Sequence, residues 1–131
     1  MIEETYVSFE TAKLLKEKGF KEKCVNLYDF NTGKLVENYS LTVYNNEQWG
    51  SFVTAPTHQM VLKWLRDVHG ILISVSTYVN YDDETKHYWS DYGSHIISLS
   101  KHDLLCDVRN EADTYEEATE KAITYCLTKL I

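Results

Sequence analysis

The sequence predicts an α+β fold. It reads as one two-layer domain over residues 1–131, with the order α-β-β-α-β-β-α, a mainly antiparallel four-stranded sheet and the helices packed on one face. Three observations predict it. Helix-length amphipathic stretches open on capping residues, and the first two close on glycine. Two apolar and aromatic runs fold back on themselves through polar turns. The regular strand–helix alternation that an all-parallel sheet needs is missing.

The first helix starts at Ser8, a good N-cap, and runs through FETAKLLKEK. Gly19 stands where a helix takes its left-handed C′ residue, and Phe20 beyond it folds back on Leu15 in a Schellman stop. Ala12 and Leu15, with Leu14 or Phe9, form its apolar stripe. Cys24 to Phe30 and Leu35 to Tyr44 read as a hairpin through the turn Asn31-Thr32-Gly33-Lys34, with Tyr39, Leu41 and Val43 on one alternating set. Asn45 to Phe52 is polar apart from Trp49 and reads as a loop over a sheet edge.

Pro56 keeps Ala55 out of helical geometry, so the second helix begins after it, capped by Thr57. Met60, Val61, Trp64, Leu65 and Val68 recur at the helical period and are expected to pack inward. Gly70 stops the helix. Ile71, Ile73, Val75, Thr77 and Val79 then alternate with Leu72, Ser74, Ser76 and Tyr78 as a strand apolar on both faces in its first half. Asn80 to Lys86 is an acidic turn, and His87 to Leu99 returns antiparallel with a bend expected at Gly93. Lys101 to Asp113 is mixed, anchored by Leu104, Leu105 and Val108. Thr114-Tyr115-Glu116-Glu117 fits a capping box opening a last helix to about Leu130, with Ala118, Ala122, Ile123, Cys126, Leu127 and Leu130 as its stripe.

Composition bounds the function. The net charge of −7 argues against a duplex nucleic-acid binder, which needs Lys and Arg against phosphate. The charge is uneven: residues 80–131 hold eleven acids and five bases, against nine and eight before them. An acidic half is ordinarily a solvated face; the sharper alternative is a surface for a basic partner or a mimic of nucleic-acid charge. No window approaches the about 18 apolar residues of a membrane span, and Met1-Ile2-Glu3-Glu4 does not begin a signal peptide. Cys24, Cys106 and Cys126 are odd in number, widely spaced and without CxxC, which suits a reducing cytoplasm.

Chemistry-bearing residues are few. His58 and His69 mark opposite ends of the second helix, ordinary places for histidine. His95, His102 and Cys106 have the only metal-like spacing, but they lack a fourth ligand, so no metal and no cofactor is expected. Cys106 with His95 or His102 is the only justifiable Cys–His pair, without a glycine-rich turn for an oxyanion. Asp82-Asp83-Glu84 lacks a calcium-loop pattern, and nothing fixes the distances of Asp82 to Glu84 or Asp91 to Asp107 as paired carboxylates. P-loop, GxGxxG, HExxH and GxSxG motifs are absent.

Aromatics carry the stronger signal. Tyr78, Tyr81, Tyr88, Trp89 and Tyr92 crowd the second hairpin. Cross-strand packing explains aromatics in sheets; the functional alternative is an uncovered surface for a protein partner or a second copy. Stacked single-stranded nucleic acid needs a basic groove, and residues 80–92 are acidic.

Three segments, YVSFETAKLLKEKGF (6–20), APTHQMVLKWLRDVHGILISVSTYV (55–79) and TYEEATEKAITYCL (114–127), together resemble small uncharacterised proteins of gut Bacteroides and of their phages and prophages. The resemblance implies an intracellular product of mobile-element origin. It implies no activity and gives no residue a role. The sequence thus favours a non-enzymatic accessory or protein-interaction domain, with no catalytic residue assigned. The alternative is a small hydrolase or nuclease-like enzyme using His and Asp residues around 87–107, which requires His87, Asp91, His95 and His102 to converge.

Overall fold

The computed structural model describes residues 2–37, 42–45 and 50–131, with backbone alone for 108–111. Tyr39, Leu41 and Trp49 therefore lie outside the described residues. The chain divides into two compact units, one of residues 1–61 with 124–131, the other of residues 62–123. The α+β class holds. The single four-stranded sheet is corrected to two three-stranded antiparallel sheets, and two strands join the expected order.

In the first unit, helix α1 (Phe9–Glu17) opens on Ser8, whose hydroxyl accepts the Thr11 amide at 3.2 Å. It closes as a Schellman stop. Gly19 sits at φ +87°, its amide donates to Lys16, and the Phe20 amide donates to Leu15 at 2.9 Å. Phe20, Leu15 and Ala12 are fully buried. The expected hairpin is present among the described residues. Strand β1 (Leu27–Asp29) pairs with β2 (Leu35–Val36), and Cys24 and Val43 exchange both backbone bonds as an isolated bridge. The Asp29 carboxylate holds the turn by accepting the amides of Asn31 and Thr32, and Gly33 supplies the positive φ of +69°.

Strand β3 (Phe52–Thr54) starts at the last residue of the expected loop Asn45–Phe52, continues through two residues to which the sequence assigns no element, and pairs with β1 on the side away from β2. Three residues are too few to show a period of two, so only the partner strand reveals it. Asn45 ties this region together. Its side-chain amide donates to the Phe20 carbonyl at 2.9 Å, and its oxygen accepts the Thr54 amide at 3.0 Å, all in a buried setting. Residues 124–131 return to this unit: the Lys18 ammonium donates to the Ile131 carbonyl at 2.7 Å.

Helix α2 (His58–His69) is capped by Thr57, whose hydroxyl accepts the Met60 amide at 3.2 Å. Val61, Leu65 and Trp64 are buried, but Val68, expected on the same stripe, is 60% exposed in the last turn, where Gly70 reverses the chain.

The second unit holds the sheet β4-β5-β6. Strand β4 (Ile71–Asp82) pairs with β5 (His87–Ser98) along all twelve residues, from Ile71 opposite Ser98 to Asp82 opposite His87. The expected turn at 80–86 shrinks, since the strands continue through Asp82 and His87. The Asp82 carboxylate makes that tight turn by accepting the Glu84 and Thr85 amides. Strand β6 (Asp103–Ala112) occupies the stretch that is mixed in sequence, and its register on β5 shifts between Tyr92 and Ser94, around the expected bend at Gly93. Helix α3 (Tyr115–Tyr125) is followed by a π-helical turn at Cys126–Leu130. Its Thr114 hydroxyl accepts the Glu117 amide as expected. The return bond differs: Glu117 accepts the amide of Asp113, not of Thr114.

The cysteines are free. Cys24 is buried, its thiol directed at the Glu22 carbonyl and the Met60 sulfur. Burial pushes it up from 9 to about 11, the neighbouring Thr54 hydroxyl offsetting part of this. The folded chain thus keeps a proton that the unfolded chain releases above pH 9, so this contribution is intact below that pH and is lost as pH rises towards 11. The thermal midpoint should fall over this window by more in the wild type than in Cys24→Ala. At neutral pH, iodoacetamide should label half-exposed Cys106 first and reach buried Cys24 and Cys126 only on unfolding.

Candidate functional site

The candidate site is the β4–β5 hairpin, and strand alternation decides what it presents. Because β6 leaves β5 at Tyr92, the pairs from Tyr78–Asp91 to Asp82–His87 form a two-stranded ribbon beyond the three-stranded part. The five hairpin aromatics do not share one surface. Tyr81, Tyr88 and Tyr92 stand on one face, and Tyr78 and Trp89 on the other. On the first face, Tyr81 lies directly across from Tyr88 with ring centroids 4.7 Å apart, and Val79 sits diagonally beside them. Val79 is 72% exposed and Tyr88 73%. Tyr92, further down, turns its ring edge to Tyr115 of α3 and belongs to the packing. On the second face Trp89 is 49% exposed, and Asn80 across from it donates to the Asp91 carboxylate at 3.0 Å.

Where this second face meets β6 lies the one close group of ionisable side chains on the sheet among the described residues. His95 stands between Ser74 of β4 and Asp107 of β6. Its Nδ1 is 3.6 Å from Asp107 Oδ1. Tyr78 leans back along the sheet to bring its hydroxyl 2.9 Å from His95 Nε2 and 3.3 Å from Asp107 Oδ1. With Nδ1 protonated towards the carboxylate, Nε2 is the acceptor for the tyrosine O–H; with both nitrogens protonated, the hydroxyl instead accepts from Nε2 and donates to Asp107. The Tyr78 hydroxyl bonds to His95 and Asp107, and the His95–Asp107 contact at 3.6 Å is electrostatic, so the group links all three strands. Sequence reasoning treats Tyr78 and His95 separately and pairs Asp107 with Asp91. The signal that joins them is the hairpin register, which puts even-numbered β4 residues and odd-numbered β5 residues on one face.

The remaining candidates scatter. His87 is exposed opposite Asp82 at the ribbon tip. His102 is exposed at φ +56° in the turn between β5 and β6. Cys106 lies across from Ile96, and Asp107 across from His95, so the Cys106 thiol and the His95 ring are on opposite faces and cannot act as a pair. His95, His102 and Cys106 therefore do not converge. His58 is buried rather than ornamental, its Nδ1 2.7 Å from the Thr5 hydroxyl, and His69 sets its ring edge against Trp64 with centroids 4.6 Å apart. Asp82 is committed to its turn: the Glu84 amide, then the Thr85 hydroxyl, hold its carboxyl below the usual carboxylate range.

Among the described residues no helix is long and apolar enough to cross a membrane. No family model matches the chain, and no curated protein or solved structure matches it significantly.

Proposed function

We propose that the chain is a non-enzymatic accessory or protein-interaction domain, and that the projecting tip of the β4–β5 hairpin engages its partner. One observation carries this. Val79, Tyr81, Tyr88 and Trp89 stay between 44% and 73% exposed on a ribbon that, among the described residues, no third strand supports. Isolated two-stranded ribbons are marginal in water, and large aromatics with a polar end are the side chains that dominate protein interfaces. Free, largely buried thiols support a reducing cytoplasm as the place of action. A mobile-element origin rests on the three sequence segments alone.

Affinity capture with the intact chain as bait tests the proposal. Tyr88→Ala and Trp89→Ala should each weaken a captured partner by about tenfold or more, with circular dichroism unchanged. A partner held equally well by both variants places the contact elsewhere and ends the assignment to the tip.

A small hydrolase or nuclease-like enzyme is the alternative, and the scatter of His87, Asp91 and His102 away from His95 counts against it. Only the Tyr78–His95–Asp107 group favours it, as a base with a hydroxyl on one nitrogen and a carboxylate behind the other. A phosphodiester or ester turnover abolished by His95→Ala and by Asp107→Asn is what that alternative requires.

A further inference from the structure

The two edges of the second sheet are built differently. Strand β6 is short of β5, shifts register twice, and carries Asp103 and Asp107. Bulges and charges are how proteins keep an edge from recruiting another strand. Strand β4 has neither. It keeps an unbroken register with β5 over twelve residues, has no proline, lysine or arginine, and is uncharged from Ile71 to Tyr81. Among the described residues no second strand meets its outer side, although alternate peptide groups of an antiparallel strand point that way.

We infer that two copies of this chain associate by antiparallel pairing of their β4 strands about a two-fold axis near Ser76, making one continuous six-stranded sheet. Charge selects this place. The chain carries −7, so most of its surface repels a second copy, but the uncharged run of β4 does not. With the axis at Ser76, the two Asp82 carboxylates end about 40 Å apart at the rise of a strand. That is several Debye lengths at physiological salt. The same register sets Ile71 against Tyr81, Ile73 against Val79 and Val75 against Thr77. Each is a β-branched or aromatic cross-strand pair, and together they cover the exposed Val79 and Tyr81. A foreign strand has to match this pattern; a second copy matches it by symmetry, and the isologous contact closes without fibre growth.

Sedimentation equilibrium of the intact chain at micromolar concentrations tests the inference. The expected mass is twice the 15.3 kDa of one chain. Ser76→Lys brings two ammonium groups face to face at the axis and should raise the dissociation constant at least about tenfold, with far-ultraviolet circular dichroism unchanged. Val79→Lys, at a site already open to solvent, should do the same and decides the matter if Ser76→Lys fails to fold. Trp89→Ala lies on β5 and should leave the dimer intact, which separates this contact from the β5 side of the hairpin tip. A monomeric wild type overturns the inference, as does a dimer indifferent to both lysines.

Discussion

Phe20→Ala should destabilise the chain by about 3–5 kcal/mol, read as a lowered urea midpoint. The ring is fully buried, so truncation removes its transfer free energy and leaves a cavity that its neighbours fill only partly. Position matters as much as burial. Phe20 is the residue just past the left-handed Gly19, its amide closes the stop on Leu15, and its carbonyl receives Asn45. Losing the ring therefore loosens the end of α1 and the connection to β3 together. Gly19→Ala is the control. A Cβ there meets nothing within 4 Å, so the cost is the backbone term alone, about 1–2 kcal/mol. Equal effects of the two substitutions would show that the Phe20 ring is not the main contributor.

Asn45→Leu should cost about 2–5 kcal/mol although it makes the site more apolar. The substitution conserves size but removes the bond to the Phe20 carbonyl and leaves the Thr54 amide buried without its acceptor. An orphaned buried backbone group costs about 1–3 kcal/mol. Asn45→Asp separates the two bonds: its oxygen still accepts from Thr54, but a carboxylate cannot donate to Phe20 and opposes a carbonyl at short range. It should be worse than Leu at neutral pH and recover partly in acid, where a protonated carboxyl regains a donor. Thermal unfolding of the three proteins at neutral and acid pH measures the order. A Leu variant as stable as the wild type would mean that water replaces the amide.

Local signals in the sequence translated directly into structure. Ser8, Thr57 and Thr114 cap helices because a short hydroxyl side chain reaches an amide two or three residues on. Gly19 and Gly70 end helices because they take a positive φ. The long hairpin was equally legible, since both strands alternate and a polar, acidic turn joins them. Sheet partnership was not. Strand β3 is defined by β1, with Leu27 opposite Thr54, and nothing within three residues announces a partner so distant in sequence. Strand β6 did carry alternation in Leu104, Cys106 and Val108, but Leu105 and the flanking charges blurred it. The four-stranded sheet failed for this reason: joining the two hairpins assumed that neighbouring strands in sequence share one sheet. The aromatic cluster was legible as residues but not as surfaces, because a one-residue change of position moves a side chain to the other face. Tyr78 was the hardest, since its hydroxyl works on a residue of β5 well away from the one it pairs with.

The division of the chain has a consequence for its synthesis. The first unit is discontinuous, made of residues 1–61 and 124–131, and the second lies wholly between them. On the ribosome, α1 and its sheet must wait through the whole of Leu62–Ile123 before the segment that Lys18 grips is made. At roughly 5–20 residues per second that delay is on the order of several seconds. The inserted hairpin, whose strand partners β4, β5 and β6 are consecutive in sequence, can close during that interval. The part translated first is therefore the part completed last.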